Sequence, residues 1–95
     1  MHLSILAQIT ASEGKADFVR AELEKLVPIT RAEAGCVQYD LFVDNEKSGF
    51  FVFHETWETR ELWQAHMNAP HLKAYIDATD GAVTQFIVNE MSKIA

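Results

Sequence analysis

The segment Phe50-Phe51-Val52-Phe53-His54-Glu55-Thr56-Trp57 carries bulky β-forming side chains in both of its alternating sets. Phe51, Phe53 and Trp57 point one way, and Phe50 and Val52 point the other, so the segment reads as a strand that is apolar on both faces. Such a strand has to be covered twice. It constrains the chain to a sheet with a layer on each side, and the rest of the sequence must supply or recruit those layers.

The flanking pattern supplies one of them. Leu3, Ile5, Ala7 and Ile9 alternate with Ser4, Leu6, Gln8 and Thr10, which predicts a strand over residues 3 to 10. Ser12 is the expected N-cap of a following helix, with Glu13 in its first turn. Phe18, Val19, Leu23, Leu26, Val27 and Thr30 recur at helical spacing, Pro28 predicts a kink or local restart, and Gly35 marks the end. Cys36 to Val43 is a second strand, joined to the Phe50–Trp57 strand by the polar turn Asp44-Asn45-Glu46-Lys47-Ser48-Gly49, as in an antiparallel hairpin. Thr59 then caps a helix through Leu62, Trp63, Ala65 and His66. Asn68-Ala69-Pro70 breaks it, with Pro70 suited to the first turn of a next helix carrying Leu72, Ala74, Tyr75, Ile76 and Ala78. Ala82 to Met91 is the fourth strand, with Val83, Ile87 and Met91 in one alternating set and Phe86 and Val88 in the other.

The order β-α-β-β-α-β predicts an α+β, ferredoxin-like domain: a four-stranded antiparallel sheet with its helices on one face. At 95 residues the chain is a single domain, residues 1–95. Helices can hide only one face. With 48% hydrophobic residues, the chain has more apolar surface than so small a monomer can bury. The second face therefore calls for a partner sheet, and the simplest partner is another copy. Two sheets face to face predict a barrel-like homodimer with a central or per-subunit cavity.

A formal net charge of −6 argues against nucleic-acid binding through a basic surface. No Lys/Arg run points to an anionic membrane, and no apolar stretch has the eighteen or so residues of a span. The strand-like run from Met1 to Thr10 lacks a basic segment or cleavage site, so no signal peptide is expected. The one cysteine, Cys36, cannot form an internal disulfide. A cytoplasmic protein is the expectation.

Three of the four histidines fall between His54 and Tyr75, in His54-Glu55-Thr56-Trp57, His66 and Pro70-His71. His and Glu are the usual acids and bases near neutral pH, and Trp57 could line an aromatic pocket. Each residue also has a structural reading. Trp57 can be core, and His66 can bond a backbone carbonyl. Glu55 can be a satisfied buried carboxylate or a dimer ion-pair partner, and His71 a helix-start donor. Together they point to a pocket at one sheet edge. His66 and His71 are five apart across a helix break, and the zincin spacing is absent, so no metal site is expected. Cys36 reads as a small buried hydrophobe. No phosphate-cradling glycine loop is present.

Three stretches together resemble the antibiotic biosynthesis monooxygenase (ABM) domain family in order and spacing over nearly the whole chain. They are Glu33-Ala34-Gly35-Cys36-Val37-Gln38-Tyr39, Phe53-His54-Glu55-Thr56-Trp57-Glu58, and His66-Met67-Asn68-Ala69-Pro70-His71-Leu72-Lys73-Ala74-Tyr75. Within that family the chain is most similar to small quinol monooxygenases. The resemblance implies a dimeric α+β barrel, with its pocket on the side the helices leave uncovered. It also implies a monooxygenase that inserts one oxygen atom from O₂ into a quinol or polyphenol-like aromatic without metal, flavin or haem. On that reading His66, Glu55 and Trp57 are the catalytic group: His66 as acid/base or substrate hydrogen-bond partner, Trp57 as pocket wall, Glu55 orienting one of them. His71, Phe53, Phe51, Tyr39 and Trp63 are the substrate-binding residues. Haem-degrading members use an Asn on the first strand, where this chain offers Leu6 and Gln8 as the inward residues. Two other readings stay open: a non-catalytic binder of a small aromatic, and an isomerase of a small carbonyl compound, with Lys73 the one cation near the site.

Overall fold

The computed structural model describes residues 2–95; Met1, the first residue of the strand-like opening run, lies outside them. Seven elements follow in order: β1 (Leu3–Ala11), α1 (Ala16–Arg31), β2 (Cys36–Val43), β3 (Phe50–Trp57), α2 (Arg60–Met67), α3 (Pro70–Ala78) and β4 (Val83–Met91). The strands form one sheet in the order β2-β3-β1-β4, every neighbouring pair antiparallel. Each crossover thus skips one strand, which is the ferredoxin-like arrangement expected.

Local chemistry explains most boundaries. Asp44 Oδ1 accepts from the Glu46 and Lys47 backbone N–H groups at 2.8 and 3.0 Å, closing the β2–β3 turn. Those bonds hold the Asp44 carboxyl below the usual carboxylate range. Thr59 caps α2, its hydroxyl accepting from Leu62 N–H at 3.1 Å. Pro70 opens α3, so the second crossover holds two short helices. Pro28 neither stops nor restarts α1, which runs unbroken to Arg31. Pro28 lies on the exposed side, where water can satisfy the carbonyl that its missing N–H leaves unbonded. The cap expected at Ser12 does not form. Lys15 takes the N-cap position, and the Ser12 hydroxyl instead donates to the Gly81 carbonyl at 3.0 Å.

The helices cover one face only. Val19, Leu23 and Leu26 of α1 pack with Ile5, Ala7, Ile9, Tyr39, Phe51, Phe53 and Trp57 of the sheet. The other face carries half-buried Leu6 and Val52 and exposed Phe42, Ile87 and Met91, the apolar second face read from the alternation. His54 lies there too, opposite Leu6 and Asp40. Leu6 and Gln8 belong to this open face, so the inward residues of β1 are Ile5, Ala7 and Ile9. One side-chain set differs from the alternation. A register shift between Thr10 and Ala11 opposes Ala11 to Val83 and turns Val83 to the side of Phe86 and Val88, away from Ile87 and Met91. Among the described residues no helix is long and apolar enough to cross a membrane.

Candidate active site

The space between the helices and the sheet contains a cavity of about 310 Å³. It therefore lies on the helix-covered side and within one chain, not on the open face where the family resemblance put it. The physical reason is that α2 and α3, of eight and nine residues, are short and leave Val83, Phe86 and Val88 of β4 facing open space. Ile5, Ala7 and Phe53 line it from the sheet, Leu23 from α1, Trp63 and Met67 from α2, Leu72 and Tyr75 from α3, and Val83, Phe86 and Val88 from β4. The ionisable or hydroxyl-bearing groups on its wall are Tyr39, Glu55, His66, Tyr75, Thr79 and Asp80, and no Lys or Arg is among the lining residues. An apolar cavity of about 150 Å³ holds one benzene. This one has room for a one- or two-ring aromatic.

The polar wall is built from several elements. Glu55 shares the inward parity of Phe53 and Trp57 on β3, so the pleat forces its carboxyl inside, where it is 3% exposed. Its Oε1 accepts the Trp57 indole N–H at 2.9 Å. Burial pushes the Glu55 carboxyl up to about 7, the indole N–H pulling against it and the Glu33 carboxylate adding to it. His66, in the last turn of α2, is 2% exposed. Its ring lies 4.9 Å from that of Trp57 at 33° and meets Tyr39 edge-on at 5.6 Å, while Tyr39 stacks on Phe53 at 4.5 Å. Burial lowers the His66 imidazolium below its ordinary range, against the opposing pull of Glu33, so the neutral ring predominates at neutral pH. Burial drives the Tyr39 phenol far up, leaving it a neutral hydroxyl.

The structure brings Tyr39, Phe53, Glu55, Trp63 and His66 to one cavity. Trp57, Phe51 and His71 do not line it. Trp57 is fully buried behind His66 and supports both His66 and Glu55, so the wall role expected of it falls to Tyr39, Phe53 and Trp63. Phe51 is 1% exposed in the core. His71 lies behind His66, ring to ring at 5.9 Å. Cys36 is half-buried, and burial with the nearby Glu55 and Glu33 carboxylates raises its pKa, which suits the inert thiol expected.

One group escaped the sequence reading. Glu33 Oε2 lies 2.6 Å from His66 Nδ1 and 2.8 Å from His71 Nε2, with Thr30 Oγ1 at 3.4 Å from the same His71 nitrogen. Glu33 stands in the Glu33–Tyr39 motif, but its partners are 33 and 38 residues away, and no local pattern announces the meeting. These three donor atoms lie within 4.8 Å of one another, the makings of a two-His, one-carboxylate metal site. The two short contacts are hydrogen-bond lengths, however. A tetrahedral zinc with bonds of about 2.0–2.1 Å would hold its ligands about 3.3 Å apart. The carboxylate would have to withdraw before an ion could enter.

A single-sheet α+β domain that encloses an apolar cavity, with a buried imidazole and carboxyl on its wall, is built to act on a small molecule. The chain belongs to the antibiotic biosynthesis monooxygenase family, whose model matches residues 3–78. It is 31% identical over 93 residues to the probable quinol monooxygenase YgiN of Escherichia coli K12, covering 87% of this chain and 89% of that one. It is 29% identical over 73 residues to the putative monooxygenase Rv0793 of Mycobacterium tuberculosis, covering 77% and 71%. The crystal structure of PA3566 from Pseudomonas aeruginosa superposes with a TM-score of 0.94 at 32% identity, covering 99% of this chain and 95% of that one. These relatives place the chain among the monooxygenases of the family.

Proposed function

We propose that the chain is a cofactor-independent monooxygenase of a neutral one- or two-ring quinol, with O₂ as oxidant. The observation that carries this reading is His66, a neutral imidazole on the wall of an apolar cavity of aromatic size. In the reaction, His66 takes the proton of a phenolic hydroxyl. The phenolate, held out of water, passes an electron to O₂, and the radical pair recombines as a carbon–oxygen bond. One oxygen atom stays on the ring, and the other leaves as water with the two hydrogens the quinol gives up. Glu55, titrating near neutrality on the same wall, can hydrogen-bond a second hydroxyl. Trp57 fixes both groups from behind. The relative named a probable quinol monooxygenase supports the substrate class. The cation-free lining favours a neutral substrate, and Lys73 is exposed and off the cavity, which weighs against isomerisation of a phosphorylated compound. The working unit on this reading is a cytoplasmic homodimer whose open sheet faces, carrying Leu6, Phe42, Val52, Ile87 and Met91, cover each other.

The test is oxygen uptake by purified protein with a panel of one- and two-ring quinols, kept reduced until mixing, in chelator-treated buffer. Protein-dependent uptake is expected, and His66→Ala should lower it about 100-fold. Uptake no faster with the native protein than with His66→Ala across the whole panel overturns the reading.

A further inference from the structure

We infer that Glu33 is the positioning residue of the site: it holds His66 in the tautomer with a proton on Nδ1 and a free Nε2, and His71 braces Glu33 in that place. The inference rests on the reading of His66 as the proton acceptor.

Glu33 sits in the short connection between α1 and β2, and its backbone is tied on both sides. Its N–H donates to the Thr30 carbonyl at 2.9 Å, and its carbonyl accepts from Cys36 N–H at 3.2 Å. Gly35, at φ +83°, makes the turn back into the sheet. From this fixed base the side chain reaches His66 on α2 and His71 on α3. One carboxylate oxygen thus joins the α1–β2 connection to both helices of the other crossover. An ionised carboxylate can only accept hydrogen bonds. Both rings must therefore bring protons to it, His66 through Nδ1 and His71 through Nε2. For neutral His66 that leaves Nε2 as the lone pair. Among the described residues no buried side-chain nitrogen or oxygen is without a partner, and the hydrogen bond of the His66 ring is made through Nδ1, none through Nε2. That nitrogen therefore keeps contact with open space, and the open space His66 lines is the cavity.

The arrangement acts differentially. Before proton transfer Glu33 accepts a hydrogen bond from a neutral ring. Afterwards it faces an imidazolium at 2.6 Å, and the bond becomes charge-assisted and stronger. The second donor, His71, removes the carboxylate's freedom to swing away. Arg31, the nearest arginine in sequence, is turned elsewhere, to the Tyr39 carbonyl and the Asp40 carboxylate.

Two measurements without turnover test this. Nitrogen-15 NMR of the ligand-free protein reports the His66 tautomer: a protonated Nδ1 is expected in the native protein and in Glu33→Gln, whose amide oxygen still accepts, and loss of that preference in Glu33→Ala. The second uses 4-nitrophenol, whose phenolate is yellow. Bound to the native protein it should be shifted toward phenolate. Glu33→Gln, lacking the charge, should lower the bound phenolate-to-phenol ratio about tenfold. Binding of 4-nitroanisole, which has no proton to give, should change less than about twofold, which also reports an intact cavity. A His66 protonated on Nε2 in the native protein, or an unchanged phenolate ratio in Glu33→Gln, overturns the inference. No oxygen uptake with quinols, alongside the expected tautomer and phenolate shift, would remove the oxygenase reading and leave Glu33 in its role.

Discussion

Replacing Glu55 by Gln should change how the stability of this protein depends on pH. The Glu55 carboxyl rises from an ordinary 4.5 to about 7 on folding, because burial at 3% exposure disfavours the charged form more than the Trp57 indole N–H restores it. A raised carboxylate pKa means that the folded state binds the proton more tightly than the unfolded chain. Folding therefore carries no ionisation penalty from this group below about pH 4, where both states are protonated. The penalty grows as pH rises from about 4.5 and levels off above about pH 7, at about 3 kcal/mol. Between about pH 5 and pH 8 the native protein should lose about 2–3 kcal/mol relative to Glu55→Gln. The glutamine keeps an oxygen for the Trp57 N–H but has no charge to bury. Any fixed cost of its extra amide protons is the same at both pH values and cancels in the comparison. Urea unfolding of both proteins at the two pH values measures the effect. Stability differences that agree within about 0.5 kcal/mol at the two pH values would refute the argument that Glu55 is buried without a compensating positive charge.

Two further outcomes follow from single contacts. Gly35→Ala places a Cβ against Leu62 Cδ1 and 2.8 Å from Leu62 Cβ, at φ +83°, so it must push α2 and strain the backbone. A loss of about 2–4 kcal/mol by thermal or urea unfolding is expected, with weakened binding of aromatics because α2 carries Trp63 and His66. Val52→Lys puts a charge at the centre of the open face, opposite Gln8 and Phe42. With the proposed homodimer as the starting state, sedimentation should then show a shift from dimer to folded monomer, and an unchanged sedimentation coefficient would mean that this face is not where copies meet.

The strands and the element order were legible from periodicity alone. A strand such as Phe50–Trp57 writes its two faces into alternate positions, and the cap at Thr59 and the helix start at Pro70 depend on atoms within a turn of each other. The misplacements came where local rules compete with distant partners. The Ser12 hydroxyl had an alternative at Gly81, 69 residues on, and took it in place of capping a helix. The bulge beside Ala11 broke a parity that the alternation of β4 assumed, and so moved Val83 to the cavity wall.

The amino-acid sequence by itself determined a sheet apolar on both faces, a helix layer for one of them, and the shared face of Phe51, Phe53 and Trp57, because side-chain direction along a strand or helix is a property of neighbouring residues. The tertiary structure alone decided that the cavity lies under the helices and that Trp57 stands behind His66 and not at the wall. It alone brought Glu33 to His66 and His71. Those outcomes depend on how far apart the layers sit and on which side chains the crossovers bring together, and neither distance is encoded in the spacing of residues along the chain.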